Sequence, residues 1–120
     1  MSRRYLTLQE AESSLNRGKD VEIFLGSFTH NSEQCIRWAS FSKGASGVNG
    51  CLWEAFDQGS PDYLDIYTFD TPSGEYVEPT KSVTAENLKA AASALKIDDL
   101  KFVNQGMVQD EYADYLSSSI

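Results

Sequence analysis

The run Val21-Glu22-Ile23-Phe24-Leu25-Gly26-Ser27-Phe28 is followed by the polar Thr29-His30-Asn31-Ser32 and then by Cys35-Ile36-Arg37-Trp38-Ala39-Ser40-Phe41. Both apolar runs are rich in β-branched and aromatic residues with alternating polarity, the pattern of strands, and the polar residues between them make a turn. So short a connection joins neighbouring antiparallel strands, because a parallel crossover needs a dozen residues or more. The chain therefore reads as built around a hairpin.

Working outward, the glycine-rich Lys43–Gly50 leads to a third strand at Cys51–Phe56, closed by Asp57-Gln58-Gly59-Ser60-Pro61, and Tyr63–Phe69 reads as a fourth. Asp70–Val83 holds Pro72, Gly74 and Pro79 around Glu75-Tyr76-Val77-Glu78, and reads as a surface loop or one carrying a short edge strand. A helix starting near Thr84 sets Leu88, Ala91, Ala92 and Leu95 on one stripe. Leu100–Val103 is a fifth short strand, and after Gly106 a last helix runs to about Leu116. Upstream, Thr7-Leu8-Gln9-Glu10 fits a capping box, Leu8, Ala11 and Leu15 recur at helical spacing, and Gly18 is a stop. The order helix, four strands, helix, strand, helix predicts a single α+β domain over residues 1–120. Its antiparallel sheet of four to five strands has about three helices packed on it.

Composition narrows the function. The 120 residues are 41% hydrophobic and 12% aromatic, enough to build a packed core, so disorder is excluded. Ten Lys and Arg stand against eighteen Asp and Glu, for a net charge of -8. A face that grips nucleic-acid phosphates or an anionic membrane must be basic, so neither is an expected partner. No apolar run approaches the roughly 18 residues of a membrane span. The basic Met-Ser-Arg-Arg-Tyr start has no apolar segment behind it, which is unlike a signal peptide. A cytoplasmic protein is the expectation. The acid is unevenly spread: residues 44–80 hold seven Asp and Glu and no Lys or Arg.

Period-two parity sorts the strand residues into two faces. One, expected to be the core face, takes Val21, Ile23, Leu25, Ile36, Trp38, Cys51, Trp53, Ala55, Leu64 and Ile66. The other mixes rings with charge: Glu22, Phe24, Phe28, Arg37, Phe41, Leu52, Glu54, Phe56, Tyr63, Asp65, Tyr67 and Phe69. Either a helix or the Asp70–Val83 segment covers these rings, or part of this face, rimmed by acids, receives a protein partner. Parity also puts Cys35 and Cys51 on opposite faces, against a disulfide unless a bulge resets the register.

No reactive constellation stands out. His30 lies in a turn, whereas Cys35 and Cys51 lie inside apolar strands, an arrangement of inert packing cysteines. Gly44, Gly47 and Gly50 lack the order and spacing of a phosphate-binding loop, with Lys43 ahead of them and a strand behind. Asp57, Asp62 and Asp65 do not follow the alternate-position spacing of a calcium loop. Zinc spacings are missing as well. No cofactor and no metal is expected, and no catalytic residue is assigned.

Two stretches carry a resemblance. Trp53-Glu54-Ala55-Phe56-Asp57-Gln58-Gly59-Ser60-Pro61-Asp62-Tyr63-Leu64-Asp65-Ile66-Tyr67-Thr68-Phe69 and Phe102-Val103-Asn104-Gln105-Gly106-Met107-Val108-Gln109-Asp110-Glu111-Tyr112 resemble small acidic immunity proteins that bacteria encode beside secreted or contact-delivered toxins. The resemblance implies a non-enzymatic inhibitor that binds one cognate toxin domain and blocks its active site or a neighbouring surface. An acidic partner of a basic nuclease gains encounter rate by electrostatic steering. The candidate contacts are Glu54, Asp57, Asp62, Tyr63, Asp65, Tyr67, Asp70, Glu75 and Tyr76, with carboxylates pairing to Lys or Arg and tyrosines giving rigid contact area. The alternative is an acidic nucleic-acid mimic that inhibits a DNA-binding protein, although Lys81, Lys89 and Lys96 interrupt its line of charge. Edge strands and the aromatic face would equally serve a homodimer.

Overall fold

A computed structural model describes residues 5–60, 62–70, 79–97 and 100–118. Helix α1 (Leu8–Asn16) begins as its sequence demands. Thr7 Oγ1 accepts from the Glu10 N–H at 3.1 Å, and Glu10 Oε1 accepts from the Thr7 N–H at 2.9 Å. Strands β1 (Val21–His30), β2 (Glu33–Lys43) and β3 (Val48–Phe56) follow as a meander. The first turn is made by Asn31 and Ser32, both at positive φ (50° and 68°), which matches the right-handed twist of a two-residue hairpin. β4 (Lys81–Ala85), α2 (Leu88–Ala94), β5 (Val103–Asn104) and α3 (Val108–Ser118) complete the chain. All pairings are antiparallel, in the order β4-β3-β2-β1-β5. The class is α+β, with three α-helices and five strands among the described residues. Among the described residues no helix is long and apolar enough to cross a membrane.

One strand lies elsewhere than the sequence reading puts it. Tyr63–Phe69 is not a strand but an irregular segment containing a 3-10 turn at Ile66–Thr68, with a single bridge between Ser60 and Tyr63. The fourth strand is Lys81–Ala85, in the stretch read as the end of a loop and the start of a helix. That helix starts later, capped by the Asn87 side chain, which accepts from the Ala90 N–H at 2.8 Å.

The assignment of faces also needs correction, and one residue is the cause. From the turn, the pairs His30↔Glu33, Phe28↔Cys35 and Gly26↔Arg37 run in regular register, but the next pair is Phe24↔Trp38. Leu25 is therefore the extra residue of a β-bulge, next to Gly26 at φ +93°. Without it Ile23 would share a face with Trp38. With it Val21 and Ile23 lie opposite Phe41 and Ala39, and Glu22 and Phe24 join the face of Ile36, Trp38, Trp53 and Ala55.

Both faces are consequently apolar and both are covered. On one, Val21, Ile23, Ala39, Phe41 and Val48 pack against Ala11 and Leu15 of α1 and Leu88, Ala91 and Ala92 of α2. On the other, Ile36, Trp38 and Ala55 pack against Ile66 and Phe69 of the irregular segment and Val108 and Tyr112 of α3. At roughly 1.5–3 kcal/mol for each large apolar side chain removed from water, Ile66, Phe69 and Val108 suffice to hold this second layer down. Cys35 and Cys51 are free and lie on opposite faces, as their parity requires.

Candidate functional site

The second layer determines what remains available at the surface. Asp57, at the end of β3, accepts hydrogen bonds from the hydroxyls of Tyr112 and, at 2.9 Å, Tyr115. The Tyr112 hydroxyl also accepts from the Gly59 N–H at 3.0 Å, and that of Tyr115 accepts from Gln34 Nε2 at 3.0 Å. The Tyr112 ring is fully buried among Phe24, Phe69 and Tyr115, at centroid distances of 6.2, 5.6 and 5.8 Å. Burial, and then the bond to Asp57, push its phenol well above the usual range. A cluster of this kind fixes α3 on the sheet.

Three more of the expected contact acids are held from within. Glu54 Oε2 accepts from Arg37 Nε and Nη2 at 2.8 and 2.6 Å across the β2–β3 ladder, and the guanidinium lies 4.4 Å from the Phe28 ring centre. Asp65 Oδ1 accepts from Gln109 Nε2 at 3.1 Å. Asp70 accepts from Gln58 Nε2 at 3.0 Å, while its own N–H donates to Gln58 Oε1 at 2.8 Å. Asp62 is exposed. Glu75 and Tyr76 lie outside the described residues.

Most rings of the mixed set are roofed by the chain itself, Phe41 and Phe69 almost completely. Two stay out: Tyr63 is 46% exposed and Tyr67 39% exposed, and Met107 at the foot of α3 is 41% exposed. These three are the exposed large apolar side chains of the described residues, and Glu22 brings Tyr67 and Met107 to one corner. Tyr67 donates its hydroxyl to Glu22 Oε1 and Oε2 at 2.7 and 2.9 Å, and Glu22 Oε1 accepts from the Gly106 N–H, next to Met107, at 2.9 Å. Tyr63 packs edge-on against Phe69 at 5.6 Å. Asp65, bonded to Gln109, reaches the first turn of α3, where Asp110 is exposed one residue on, and exposed Asp62 precedes Tyr63 in the chain.

The corner contains a group that sequence reasoning placed on an outer face. Glu22 is only 3% exposed, and burial raises its carboxyl above the usual carboxylate range. Its two stabilising partners come from 45 and 84 residues away, so no local pattern could announce it. The same proximity raises the Tyr67 phenol, first through burial and then through the bond to Glu22. Beside this pair a cleft of about 340 Å³ opens between Trp38, Trp53, Tyr67 and Phe69, with Ser40 and Gln105 at its sides. The two indoles stack at 6.4 Å and 15°, and Tyr67 stands at 80° to Trp38 with centroids 6.0 Å apart. Trp53 Nε1 donates to Ser40 Oγ at 2.8 Å, which fixes the outer indole.

Comparison with protein-family models, with curated proteins and with solved structures gives no significant match.

Proposed function

We propose that the chain is an immunity protein, which binds a cognate bacterial toxin domain, a basic nuclease, and neutralises it by covering its active site or an adjacent surface. The observation that carries this reading is the exposure of Tyr63, Tyr67 and Met107, with Tyr67 and Met107 brought to one corner by Glu22 and exposed Asp62 and Asp110 close to them along the chain. Rigid aromatic anchors with a charged rim are the anatomy of a protein-binding patch, and scattered single apolar residues are not. The net charge of -8 suits a basic partner, whose approach it accelerates. Since Glu54, Asp57, Asp65 and Asp70 are engaged within the fold, the contact set among the described residues narrows to Asp62, Tyr63, Tyr67, Met107 and Asp110, while Glu75 and Tyr76 remain candidates outside the described residues.

The test is co-expression with the product of the adjacent gene, followed by co-purification and measurement of association at 50–500 mM salt, a range over which screening changes strongly. Tyr63→Ala and Met107→Ala are expected to accelerate dissociation about tenfold or more. Asp62→Asn with Asp110→Asn is expected to slow association and flatten its salt dependence. Failure of the two products to associate, or wild-type kinetics in all these variants, refutes the assignment.

A further inference from the structure

The cleft beside Glu22 presents an unusual charge balance. A carboxylate removed from water is costly unless a cation or several donors compensate it. Glu22 has the Tyr67 hydroxyl, shared between its two oxygens, and the Gly106 N–H on Oε1, with no basic side chain bonded to it among the described residues. A carboxylate offers about four acceptor directions, and Glu22, a lining residue of the cleft, uses three of them in these bonds. Asp20 adds a second acidic residue to the lining, whereas Glu54, next in the strand to Trp53, turns its carboxylate to Arg37 on the other face of the sheet. The described lining contains no Lys or Arg.

The rest of the lining selects the kind of cation. A hard metal ion needs several oxygens around it. Here the walls are indole and phenol faces, which attract organic cations through the ring quadrupole. A planar guanidinium stacks on an indole face, and a carboxylate in the same lining accepts its N–H groups. Tyr67 belongs both to this cleft and to the exposed corner, so a protein seated on the corner reaches the cleft with a side chain.

We propose that the cleft receives the guanidinium of an arginine side chain from the docked protein, with Glu22 as its buried counter-ion and Trp38, Trp53 and Tyr67 as its walls. The source of that arginine rests on the docking reading above; the chemistry of the cleft does not.

The experiment is an NMR titration of the full chain, read at the two indole N–H resonances. The probes are a capped glycine–arginine–glycine tripeptide, the same tripeptide with uncharged citrulline, and free agmatine. The arginine peptide is expected to shift both indoles saturably and the citrulline peptide is not. Glu22→Gln, which keeps an acceptor for Tyr67 and Gly106, is expected to weaken the arginine response about tenfold or more. Trp53→Leu leaves Glu22 in place and is expected to weaken it about threefold to tenfold. Equal responses to arginine and citrulline, or none that saturates, overturn the proposal even if the wild-type chain still captures the adjacent gene's product. A response to agmatine without one to the peptide overturns the side-chain source. A saturable arginine response in a chain that captures no toxin supports the cleft and refutes the toxin assignment.

Discussion

Replacement of Asp57 by Asn separates a structural acid from a binding acid. Asp57 accepts from two tyrosine hydroxyls, Tyr112 and Tyr115, and Tyr112 is fully buried. A hydrogen bond to a charged group contributes about 1.5–3 kcal/mol and a neutral one about 0.5–1.5, so neutralising the acceptor costs about 1 kcal/mol per bond. The total is about 2 kcal/mol, with rearrangement of the Asn amide beside the Tyr115 hydroxyl adding to it rather than offsetting it. For a domain of this length each kcal/mol lowers Tm by about 3–5 °C, so a fall of about 6–10 °C is expected. Urea unfolding followed by tryptophan emission is the direct assay, since Trp38 and Trp53 both lie on the face that α3 covers. The association rate with the proposed partner, measured where the variant is fully folded, should stay within a factor of two of wild type. An unchanged urea midpoint combined with a slower association would refute the reasoning and return Asp57 to the binding surface.

Glu22→Gln should show its effect as a function of pH. Because burial raises the folded-state pKa of Glu22 above the unfolded value, the folded chain holds this proton more tightly. Its contribution is greatest below the unfolded pKa and is lost as pH rises through the folded one. The stability of Glu22→Gln relative to wild type should therefore improve from pH 4 to pH 7, and a constant difference across that range would contradict the assignment. Gly59→Ala should destabilise by about 2 kcal/mol or more, because the new methyl would stand 2.5 Å from the Tyr112 ring and hydroxyl and 2.7 Å from Phe69; thermal unfolding reads this. A thiol reagent at neutral pH should modify Cys51 rapidly, and Cys35 only on unfolding. Cys35 is fully buried and burial pushes its thiol up, with Glu33 adding to the effect. Two equally fast thiols would overturn that contrast.

The capping box at Thr7 and the meander from Val21 to Phe56 were legible because each depends on neighbours within a few positions. The two faces were not. Alternation within β1 is visible in the sequence, but its phase against β2 turns on the extra Leu25, and Gly26 in mid-strand was the available sign of it. Tyr63–Phe69 has the composition of a strand, yet its apolar members Ile66 and Phe69 are needed to close the second layer, and tertiary packing prevailed over propensity. Tyr63 and Tyr67 were found among the candidate contacts because aromatic residues flanked by acids are conspicuous in one dimension. The internal duties of Glu54, Asp57 and Asp70 were hidden, since Arg37, Tyr112 and Gln58 become their partners only after folding.

The Gln58–Asp70 pair bears on how much change the surface around position 62 tolerates. It acts as a buckle: two side-chain bonds join the ends of the segment, and the Phe56 N–H donates to the Asp70 carbonyl at 2.8 Å beneath them. Ile66 and Phe69 anchor the enclosed loop from inside, while positions 62 and 63 are exposed, Tyr63 resting one edge on the Phe69 ring. Under the docking role proposed above, a change at position 62 therefore alters the face offered to a partner while the anchors beneath it stay in place.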